Sequence, residues 1–410
     1  MPTLPQKWIE DKPSMQDWAA AVARAMRQAV RSAIEGILDE ELAEVLGPRY
    51  ARRPERVGYR HGSKQRLVTS PVGPMTLKMP RARLAGGAGP RSEWASRILP
   101  AYARRMRQVN EALLQVYLCG ANSRRIRWAL KPLLQSGALS KSAISRIVQG
   151  LKAQVEAWQT QSLAELDLVY LYLDGFHLKV RVGGAVSAVP VLAVLGVQRS
   201  GQKVLVHLSL RGSESTAAWA VVCEDLAERG VRAPHLCIID GSKGLRAAVQ
   251  QTWPGAAIQR CTVHKLRNLL TAAPRRLHEE LRADYHAIVW AADAAGARRA
   301  STAFCRKWGK SCPGAVKSLE EAGAELLTMY RYPQSQWKSL RTTNSLERLY
   351  LEFRRRVKTQ GSLPGEQAVL SLLYGLIATG QIRFRKLEGW QDMALALTHQ
   401  RPLTLNEDVA

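Results

Sequence analysis

Long apolar runs are missing from this 410-residue sequence. The best run, Val189 to Val197, has the length of a β-strand, whereas a membrane-spanning helix needs roughly 18 consecutive apolar residues. The N-terminal residues MPTLPQKWIEDKP also lack the apolar core of a secretion signal. We therefore expect a cytoplasmic protein with no membrane partner.

Cysteine is scarce too, with six residues spread thinly along the chain. This spacing suits a reducing cytoplasm better than a disulfide framework, so we expect free thiols. Internal repeats and low-complexity tracts are also absent. With 46% hydrophobic residues, a chain of this length can bury more than one core, which predicts two to four domains.

Acidic residues are few relative to basic ones. Against 34 Asp and Glu residues there are 60 Lys and Arg residues, which leaves a formal net charge of +26. Solubility does not require so large an excess, and a polyanionic partner is the simplest explanation. Nucleic acid is the first candidate, and an anionic membrane surface is the second.

The charge changes sign along the first hundred residues. Residues 1–48 carry five basic and eight acidic side chains, and Ala, Ile, Leu and Val recur at helical spacing from Met15 to Leu46. This pattern predicts an amphipathic helical region that either pairs with another protomer or packs within its own chain. Residues 49–107 have a net charge of +13, half of the total surplus.

The basic region, residues 49–105, is a candidate DNA-binding surface. Gly and Pro punctuate short segments such as LVTSPVGPMTLKMP, which predicts a small β element followed by the flexible stretch AGGAGP. A solvated loop region is the alternative. The candidate DNA contacts are Arg52, Arg53, Arg56, Arg60, Lys64, Arg66, Arg81 and Arg83.

Residues 106–164 are predicted to be helical. The segment ALKPLLQSGALSKSAISRIVQGL indicates a helix, a Gly-containing turn and a second helix capped by Ser140. Such a pair fits a helix-turn-helix in which Lys141, Ser142, Ser145 and Arg146 face a DNA groove. A helical hairpin without DNA contact fits the pattern equally well.

The rest of the chain predicts an α/β domain. The short Val- and Leu-rich segments DLVYLYLDG, HLKVRVGG, SAVPVLAVLGV and KVLVHLSL precede a helix from Glu214 to Arg229 and a further strand, HLCIID. Three strands joined by hairpins, then a helix and a crossing strand, describe an RNase H-like arrangement. Residues 265–330 have helical spacing and no strand pattern, which indicates an all-helical interruption. The last helix pair is expected at Ser345–Lys358 and Glu366–Ile377.

The predicted order of regions follows from these patterns. The first part of an RNase H-like core is expected over residues 165–264 and its last part over residues 339–385. A helical insertion over residues 265–338 separates the two parts, and a C-terminal tail covers residues 386–410.

Two aspartates occupy positions suited to chemistry. Asp174 and Asp240 each follow an apolar strand run and precede Gly, where open α/β sheets present functional groups. Asp-Gly is also a common turn pair, so either aspartate alone is better explained as a turn residue. If their strands are parallel neighbours, the two carboxylates converge. Two Mg²⁺ ions about 3.5 to 4 Å apart would then find the hard oxygen ligands that phosphodiester chemistry requires.

Glu347 is the candidate third carboxylate, and Glu352 competes with it. Glu347 lies in RTTNSLERLYLEFRRRVK, one turn into a predicted helix. The alternative is a capping box, in which Asn344 caps the helix and a Glu three residues later satisfies backbone donors. Basic residues of this helix suit a DNA backbone, namely Arg348, Arg354, Arg355 and Lys358.

The segment QRCTVHKLRNLL contains a CxxH pair, Cys261 and His264. A structural zinc site would need a second pair of ligands, and Cys305 and Cys312 offer an unusual spacing. A nucleophilic Cys261 activated by His264 lacks a third orienting group nearby in sequence. A supporting or structural role beside the active centre is favoured.

With these residues assembled, the chain resembles the Mutator-type bacterial insertion-sequence transposases from about Glu55 to Gln381. The motifs occur in order as ERVGYR with MTLKMPRARL, CGANSRRIRWALKPL with LSKSAISRI, YLDGFHLKV, ESTAAWAVVCEDLAERGV, IIDGSKGLRAAV, QRCTVHKLRNLL and RTTNSLERLYLEFRRRVKTQG. Seven motifs in one order make the resemblance specific.

The resemblance implies a DDE transposase with an RNase H-like core and a helical insertion before the final Glu. The triad would be Asp174, Asp240 and Glu347, which decides for Glu347 over Glu352. The family's Cys or Asp, two residues, then His motif matches Cys261 and His264, and its Trp in the helix before the second aspartate matches Trp219. One segment, GQKVLVHLSLRGSES, departs from the acidic, Gly-bearing stretch that relatives often have there.

The resemblance also implies partners and cofactors. We expect two Mg²⁺ or Mn²⁺ ions per active site, no nucleotide cofactor, terminal inverted repeats and target DNA as double-stranded partners, and a homodimer or higher oligomer. In the cell the protein would be associated with the bacterial nucleoid when bound to DNA. The alternatives are a catalytically silent DNA-binding regulator and an RNase H-like nuclease without strand transfer.

Overall fold

The computed structural model describes residues 15–50, 57–85, 93–121, 123–130, 141–182, 184–358 and 365–398. The chain divides into two compact units, Met1–Gln149 and Gly150–Ala410. Within the described ranges, no helix is both long enough and apolar enough to cross a membrane. All six cysteines are thiols that form no disulfide.

The first unit combines helices with one β-hairpin. Its elements are α1 (Met15–Leu46), β1 (Gly58–Ser70), β2 (Gly73–Leu84), α2 (Arg107–Leu118), α3 (Ser123–Ala129) and the start of α4 (Lys141–Thr160). The predicted small β element is the antiparallel β1–β2 pair, whose register shifts between Arg60 and Ser63. The turn predicted between α3 and α4, including Ser140, lies outside the described residues.

The C-terminal half of α1 packs on this hairpin. Ile34 and Leu38 form a buried cluster with Val68, Leu77 and Met79. Because every second residue of a strand and every third or fourth residue of a helix faces the same side, the hydrophobic periodicity of both segments produces one shared apolar layer. This half of α1 therefore packs within its own unit.

Truncation of Leu38 tests this packing. Leu38 is fully buried, so Leu38→Ala should lower the free energy of unfolding by about 3 kcal/mol through lost burial and a residual cavity. The adjacent Ile37 is 46% exposed, and Ile37→Ala should change stability by no more than about 0.5 kcal/mol. Denaturant unfolding of both variants of the full chain measures the difference; equal losses would contradict the packing of α1.

The second unit is an α/β domain, as the sequence predicts. Its sheet is formed by β3 (Leu168–Val182), β4 (Ala185–Gln198), β5 (Lys203–Leu210), β6 (Leu236–Ile239) and β7 (Ala257–Arg260), in the spatial order β5-β4-β3-β6-β7. The first three strands pair antiparallel, and β6 and β7 run parallel to β3. Two helices, α5 (Thr216–Glu228) and α6 (Lys243–Thr252), connect the strands from β5 onwards.

One strand differs from its sequence-based prediction. The segments DLVYLYLDG and HLKVRVGG, predicted as separate strands, form the single strand β3. Asp174 therefore lies in the middle of a strand and not at its carboxyl end. The strand β6 stops at the pair of Leu173 with Ile239, but β3 continues because β4 supplies hydrogen-bonding partners further along. The β3–β4 pairing runs on from Asp174 with Ala193 to Val182 with Ala185.

Both faces of β3 are covered. Leu171 and Leu173 pack in the main core with Trp219 of α5, whereas the hydroxyls of Tyr170 and Tyr172 on the opposite face donate hydrogen bonds to Gln336 Oε1 and Ser339 O. Burial on both faces explains why this strand is apolar almost throughout. Trp219 is thus a core residue that holds α5 on the sheet.

The chain after β7 is helical, as predicted for residues 265–330. The α-helices are α7 (Thr262–Thr271), α8 (His278–Val289), α9 (Ala294–Trp308), α10 (Pro313–Ala322), α11 (Trp337–Leu340), α12 (Asn344–Lys358), α13 (Glu366–Ala378) and α14 (Met393–Thr398). Leu269, Tyr285, Phe304 and Leu319 bring α7 to α10 together in a separate apolar cluster. The predicted final helix pair corresponds to α12 and α13.

Candidate active site

The two aspartates lie on neighbouring parallel strands. Leu173 of β3 faces Ile239 of β6 in the parallel register, and Asp174 and Asp240 are the residues that follow. Because the strands run in the same direction, the two carboxyl-bearing positions meet at one edge of the β6–β7 half of the sheet. The structure thus brings together two residues that are 66 positions apart in the sequence.

Asp174 is almost completely buried, with 4% of its surface exposed. The Gly175 N–H donates to its Oδ1 at 2.9 Å, and the Tyr350 hydroxyl donates to its backbone carbonyl at 2.8 Å. Burial, together with the negative charge of Asp240, raises the pKa of Asp174 to about 7, although the positive charge of His264 acts in the opposite direction. A bound cation would stabilise the charged form of this carboxyl.

Asp240 is held in a tight turn after β6. The Ser242 N–H donates to its Oδ1 at 2.8 Å, and Ser242 in turn caps α6 by accepting from Leu245 N–H at 3.1 Å. Gly241 has a φ of +94°, and a Cβ there would lie 2.6 Å from Nε of Arg260. The turn therefore requires glycine both for its backbone conformation and for the approach of the Arg260 side chain.

Glu347 lies in the first turn of α12. Its Oε1 is 3.3 Å from an Arg267 guanidinium nitrogen and 4.0 Å from His264 Nε2. Tyr350, one turn further on, stacks on Phe176 of β3 with ring centroids 3.9 Å apart. The Tyr350 stack and its hydrogen bond to the Asp174 carbonyl fix the helix that carries Glu347 against the strand that carries Asp174.

Glu347 and Glu352 lie on the same helix but differ in their surroundings. Asn344 is the first residue of α12 rather than the residue before it, and the Glu347 carboxylate contacts Arg267 of α7. Glu352 forms ion pairs with Arg355 at 2.7 Å and with Arg356 at 2.6 Å on its own helix. Glu347, and not Glu352, is therefore the carboxylate that faces His264.

Cys261 and His264 lie directly beside these carboxylates. The buried Cys261 thiol accepts from the Thr343 N–H at 3.5 Å and contacts the Thr343 hydroxyl at 3.6 Å. Burial acts to raise the pKa of the Cys261 thiol. The hydrogen bond from His264 and the positive charge of His264 outweigh burial, so the pKa of Cys261 is lowered overall. The same hydrogen bond and the nearby charges of Asp174 and Asp240 raise the pKa of His264 to about 9, against the opposing effect of burial. The pair thus joins α7 to the residue that precedes α12.

The donor set suits a hard divalent cation. Asp174, Asp240 and Glu347 offer carboxylate oxygens, which are the ligands that Mg²⁺ and Mn²⁺ prefer. Two of the three lie close enough for the charge of Asp240 to raise the pKa of Asp174. The match is one of ligand chemistry: among the described residues, no group of three or more His, Cys, Asp or Glu side chains is placed to hold a metal ion as it stands, and the three carboxylates are included in this.

Two neighbours of the carboxylates were not singled out from the sequence. Thr343 forms a side-chain hydrogen bond with Asp174, and the Glu214 carboxylate lies against Gly175. Tyr350, already described, is a third residue of this kind. Thr343, Tyr350 and Glu214 form no sequence motif that would indicate a shared site. For Glu214, the one local indication of a special position was that it directly precedes Ser215, the cap of α5.

The candidate DNA contacts differ in their accessibility. Arg52, Arg53 and Arg56, together with the side chains of Lys141, Ser142 and Ser145, lie outside the described part of the chain. Three arginines make contacts within the first unit: Arg60 with Gly47 O, Arg66 with Pro100 O, and Arg81 with Glu93. The exposed members of the set are Lys64, Arg83, Arg146, Arg348, Arg354, Arg355 and Lys358.

Comparison with known proteins places this site in context. The sequence profile described as "Transposase, Mutator family" matches residues 9–386. The chain is 31% identical over 352 residues to the transposase for insertion sequence element ISRM5 of Rhizobium meliloti, which covers 86% of each chain. It is 36% identical over 290 residues to the transposase for IS6120 of Mycolicibacterium smegmatis, covering 70% of this chain and 88% of the relative. It is 30% identical over 376 residues to the transposase for IS406 of Burkholderia multivorans, covering 90% and 95%.

Proposed function

Because the chain belongs to the Mutator family of transposases, we propose that it is a DDE transposase that binds the terminal repeats of an insertion sequence and cleaves and joins DNA there. One observation carries the catalytic part of this proposal. Asp174 and Asp240 follow paired residues of adjacent parallel strands, and Tyr350 holds the helix of Glu347 against the first of them. The strand order β5-β4-β3-β6-β7 also supports an RNase H-like core, with the helices from α7 to α11 as the insertion.

Asp174, Asp240 and Glu347 are the residues that would hold two Mg²⁺ or Mn²⁺ ions. When bound, such ions lower the pKa of attacking water and stabilise entering and leaving oxygens. The backbone N–H groups of Gly175 and Ser242 each hold one oxygen of Asp174 and Asp240, respectively, which fixes the orientation of these two carboxylates. His264 and Arg267 place positive charge beside Glu347, where a DNA phosphate would also be attracted.

The reaction would consist of a phosphodiester hydrolysis followed by a transesterification. In the first, water attacks the phosphorus atom at an element end and the bridging oxygen leaves as a 3′-hydroxyl. In the second, that 3′-hydroxyl attacks a phosphorus atom of another strand in line, which forms one phosphodiester and breaks another. A rigid arrangement of carboxylates, two on the sheet and one on a helix packed against it, would align the attacking and leaving oxygens.

DNA carrying the element's own ends, incubated with the protein and Mg²⁺ or Mn²⁺, tests the function directly. Products are separated on a denaturing gel, so that nicked strands and joined strands are distinguished by length. Joined strands support transposition, and nicks without joined strands would indicate a nuclease. End binding without any cleavage, in either metal, would indicate a DNA-binding regulator instead.

The basic surface of the first unit makes a second, independent prediction. Lys64, Arg83 and Arg146 are exposed, so replacing all three by Ala should weaken binding to the terminal repeats. If each contacts one phosphate, the slope of log K against log salt concentration should fall in magnitude by about 0.9 per residue. Fluorescence anisotropy at several salt concentrations measures this slope. As a control, Lys317→Ala removes an exposed lysine from α10 and should leave the slope unchanged. An unchanged slope in the triple variant would exclude Lys64, Arg83 and Arg146 as phosphate contacts.

A further inference from the structure

The first half of α1 is largely exposed. Burial begins at Ile34, and every residue from Met15 to Ala33 is either exposed or only partly buried. A helix gains most of its stability from packing one apolar face against a partner, because helix formation by itself is only marginally favourable in water. Within the described part of the chain, only the second half of α1 is packed in this way.

One face of the exposed half is apolar over its whole length. Four large residues of this face have between 51% and 86% of their surfaces exposed: Met15, Trp18, Val22 and Met26. At the same helical spacing the face carries four small residues, which are exposed as well: Ala25, Ala29, Ala33 and Gly36. The charged residues of α1 between Met15 and Gly36 all lie on other sides of the helix. These eight residues form the apolar stripe of α1.

Gly36 has no structural requirement within its own chain. Glycine destabilises the interior of a helix relative to alanine, so its presence there needs a physical reason. The φ of Gly36 is not positive, and a Cβ at this position would meet nothing within 4 Å. Close approach of another molecule is the remaining reason for a glycine at this exposed position.

The stripe has the same spacing in both directions along the helix. Its positions are symmetric about the midpoint between Ala25 and Met26, so an antiparallel second copy of α1 places each large residue opposite a small one. The facing pairs are Met15 with Gly36, Trp18 with Ala33, Val22 with Ala29, and Met26 with Ala25. A parallel pair would instead set large residues against large ones and leave gaps between the small ones. Close packing therefore favours the antiparallel pair.

The stripe is large enough for a stable pair. Its exposed surface amounts to roughly 700 Å² per chain, more than the largest apolar patch of about 300 to 600 Å² on an ordinary monomer. Two such faces give roughly 1,400 Å², within the range of about 1,200 to 2,000 Å² that stable interfaces bury. The stripe also covers about three heptads, a length of apolar pattern that is typical of paired helices.

We propose that the apolar stripe binds a second copy of this chain, with the two α1 helices antiparallel and a two-fold axis between Ala25 and Met26. Both chains then contribute the same surface, as in most homodimers. The second half of α1 stays on its own hairpin, where Leu38 is buried. The pairing does not depend on the chemistry proposed above, so either can fail without the other.

Mixing two cysteine variants tests the pairing and its direction. Val22→Cys and Ala29→Cys are prepared separately in full chains that also carry Cys119→Ser, since Cys119 is an exposed thiol. The mixture should form a disulfide-linked dimer under mild oxidation, because the two positions face each other. Neither variant alone should do so, since identical positions lie about 10 Å apart along the axis, beyond the reach of about 7 Å between the Cα atoms of a disulfide. Non-reducing gels measure the linked fraction.

Analytical ultracentrifugation measures the strength of the pair, because it distinguishes a dimer from the 45.5 kDa single chain. Met26→Asp should weaken self-association at least about a hundredfold, since each chain would bury an unpaired charge in the interface. Gln28→Asp introduces the same charge at an exposed position outside the stripe and is the matched control, with no more than a few-fold change expected. Circular dichroism verifies that both variants are folded.

Three results would overturn the proposal. The first is a wild-type chain that sediments as a monomer at the concentrations used for cross-linking. The second is a Met26→Asp variant that associates as tightly as wild type, and the third is cross-linking of Val22→Cys alone, which would indicate a parallel pair. Binding of a monomeric wild type to anionic lipid vesicles, lost in Met26→Asp, would assign the stripe to a membrane surface instead. Cleavage and joining of DNA are measured separately and do not affect these outcomes.

Discussion

Asp174→Asn is expected to lower the rates of DNA cleavage and strand transfer by about a thousandfold or more. The amide has nearly the same shape as the carboxyl but lacks its charge. In the proposed mechanism, metal-assisted stabilisation of the transition state would supply several kcal/mol, and about 1.4 kcal/mol corresponds to each factor of ten in rate. Asp240→Asn and Glu347→Gln should have effects of similar size. Rates of single turnover on DNA carrying the element's ends measure the loss.

Glu352→Gln is the matched control for this series. Glu352 lies on the same helix as Glu347 but is paired with Arg355 and Arg356, so its replacement should leave the rates within a few-fold of wild type. Loss of activity in Glu352→Gln together with full activity in Glu347→Gln would reverse the assignment of the third acid.

Unfolding does not explain the expected loss in Asp174→Asn. The folded-state pKa of Asp174 lies at about 7, above the ordinary value of about 3.9, so ionisation of this buried carboxyl disfavours the fold. The native state is favoured by this group below pH 4, and that contribution is lost as the pH rises through 7. The neutral amide avoids this cost, and Asp174→Asn should therefore melt at a temperature no lower than wild type at pH 8.

Glu321→Gln is expected to lower the free energy of unfolding by about 3 kcal/mol. Arg260 and Lys265 are both almost fully buried, and their nitrogens lie 2.9 and 3.0 Å from the Glu321 carboxylate. Removal of one partner leaves buried charges without full compensation, which typically costs about 3 to 5 kcal/mol. The lower value applies because the Glu321 side chain is 41% exposed and Arg260 and Lys265 retain carbonyl acceptors.

The effect of Glu321 should also depend on pH. Burial acts to raise the pKa of Glu321, but hydrogen bonds and charge from Arg260 and Lys265 lower it to about 2. A lowered folded-state pKa means that the stabilisation is complete above the ordinary pKa of about 4.3 and is lost as the pH falls through 2. The difference between wild type and Glu321→Gln in chemical denaturation should therefore shrink between pH 4 and pH 2. Glu320→Gln, at the exposed neighbouring position, should show no such trend.

This ion cluster also has a consequence for the active centre. Arg260 donates to the Gly241 carbonyl at 2.7 Å, next to Asp240, and Lys265 is adjacent to His264 in α7. Glu321 in α10 therefore stabilises the two segments from which Asp240 and His264 extend. A loss of Glu321 should lower activity as well as stability, although less than a change in the triad.

Much of the site could be anticipated from local patterns. The apolar run before Asp240 ends where β6 ends, so the strand pattern alone placed Asp240 at the carboxyl end of a strand. For Asp174 the pattern was misleading, because an Asp-Gly pair inside a strand looks like a strand end until the partner strand is known. The 14-residue β4 supplies ladder partners past Gly175 and keeps the chain extended to Val182.

The sequence by itself determined the order of helices and strands, the excess of positive charge and the identity of the acidic residues, because periodicity and composition act over a few neighbouring residues. Only the tertiary structure decided which groups meet. The parallel register of β3 and β6, the stacking of Tyr350 on Phe176 and the space above Gly175 each join residues far apart in the chain. Such contacts arise from close packing between whole elements, and no local pattern specifies them. Thr343, Tyr350 and Glu214 are for this reason visible beside the carboxylates only in the folded protein.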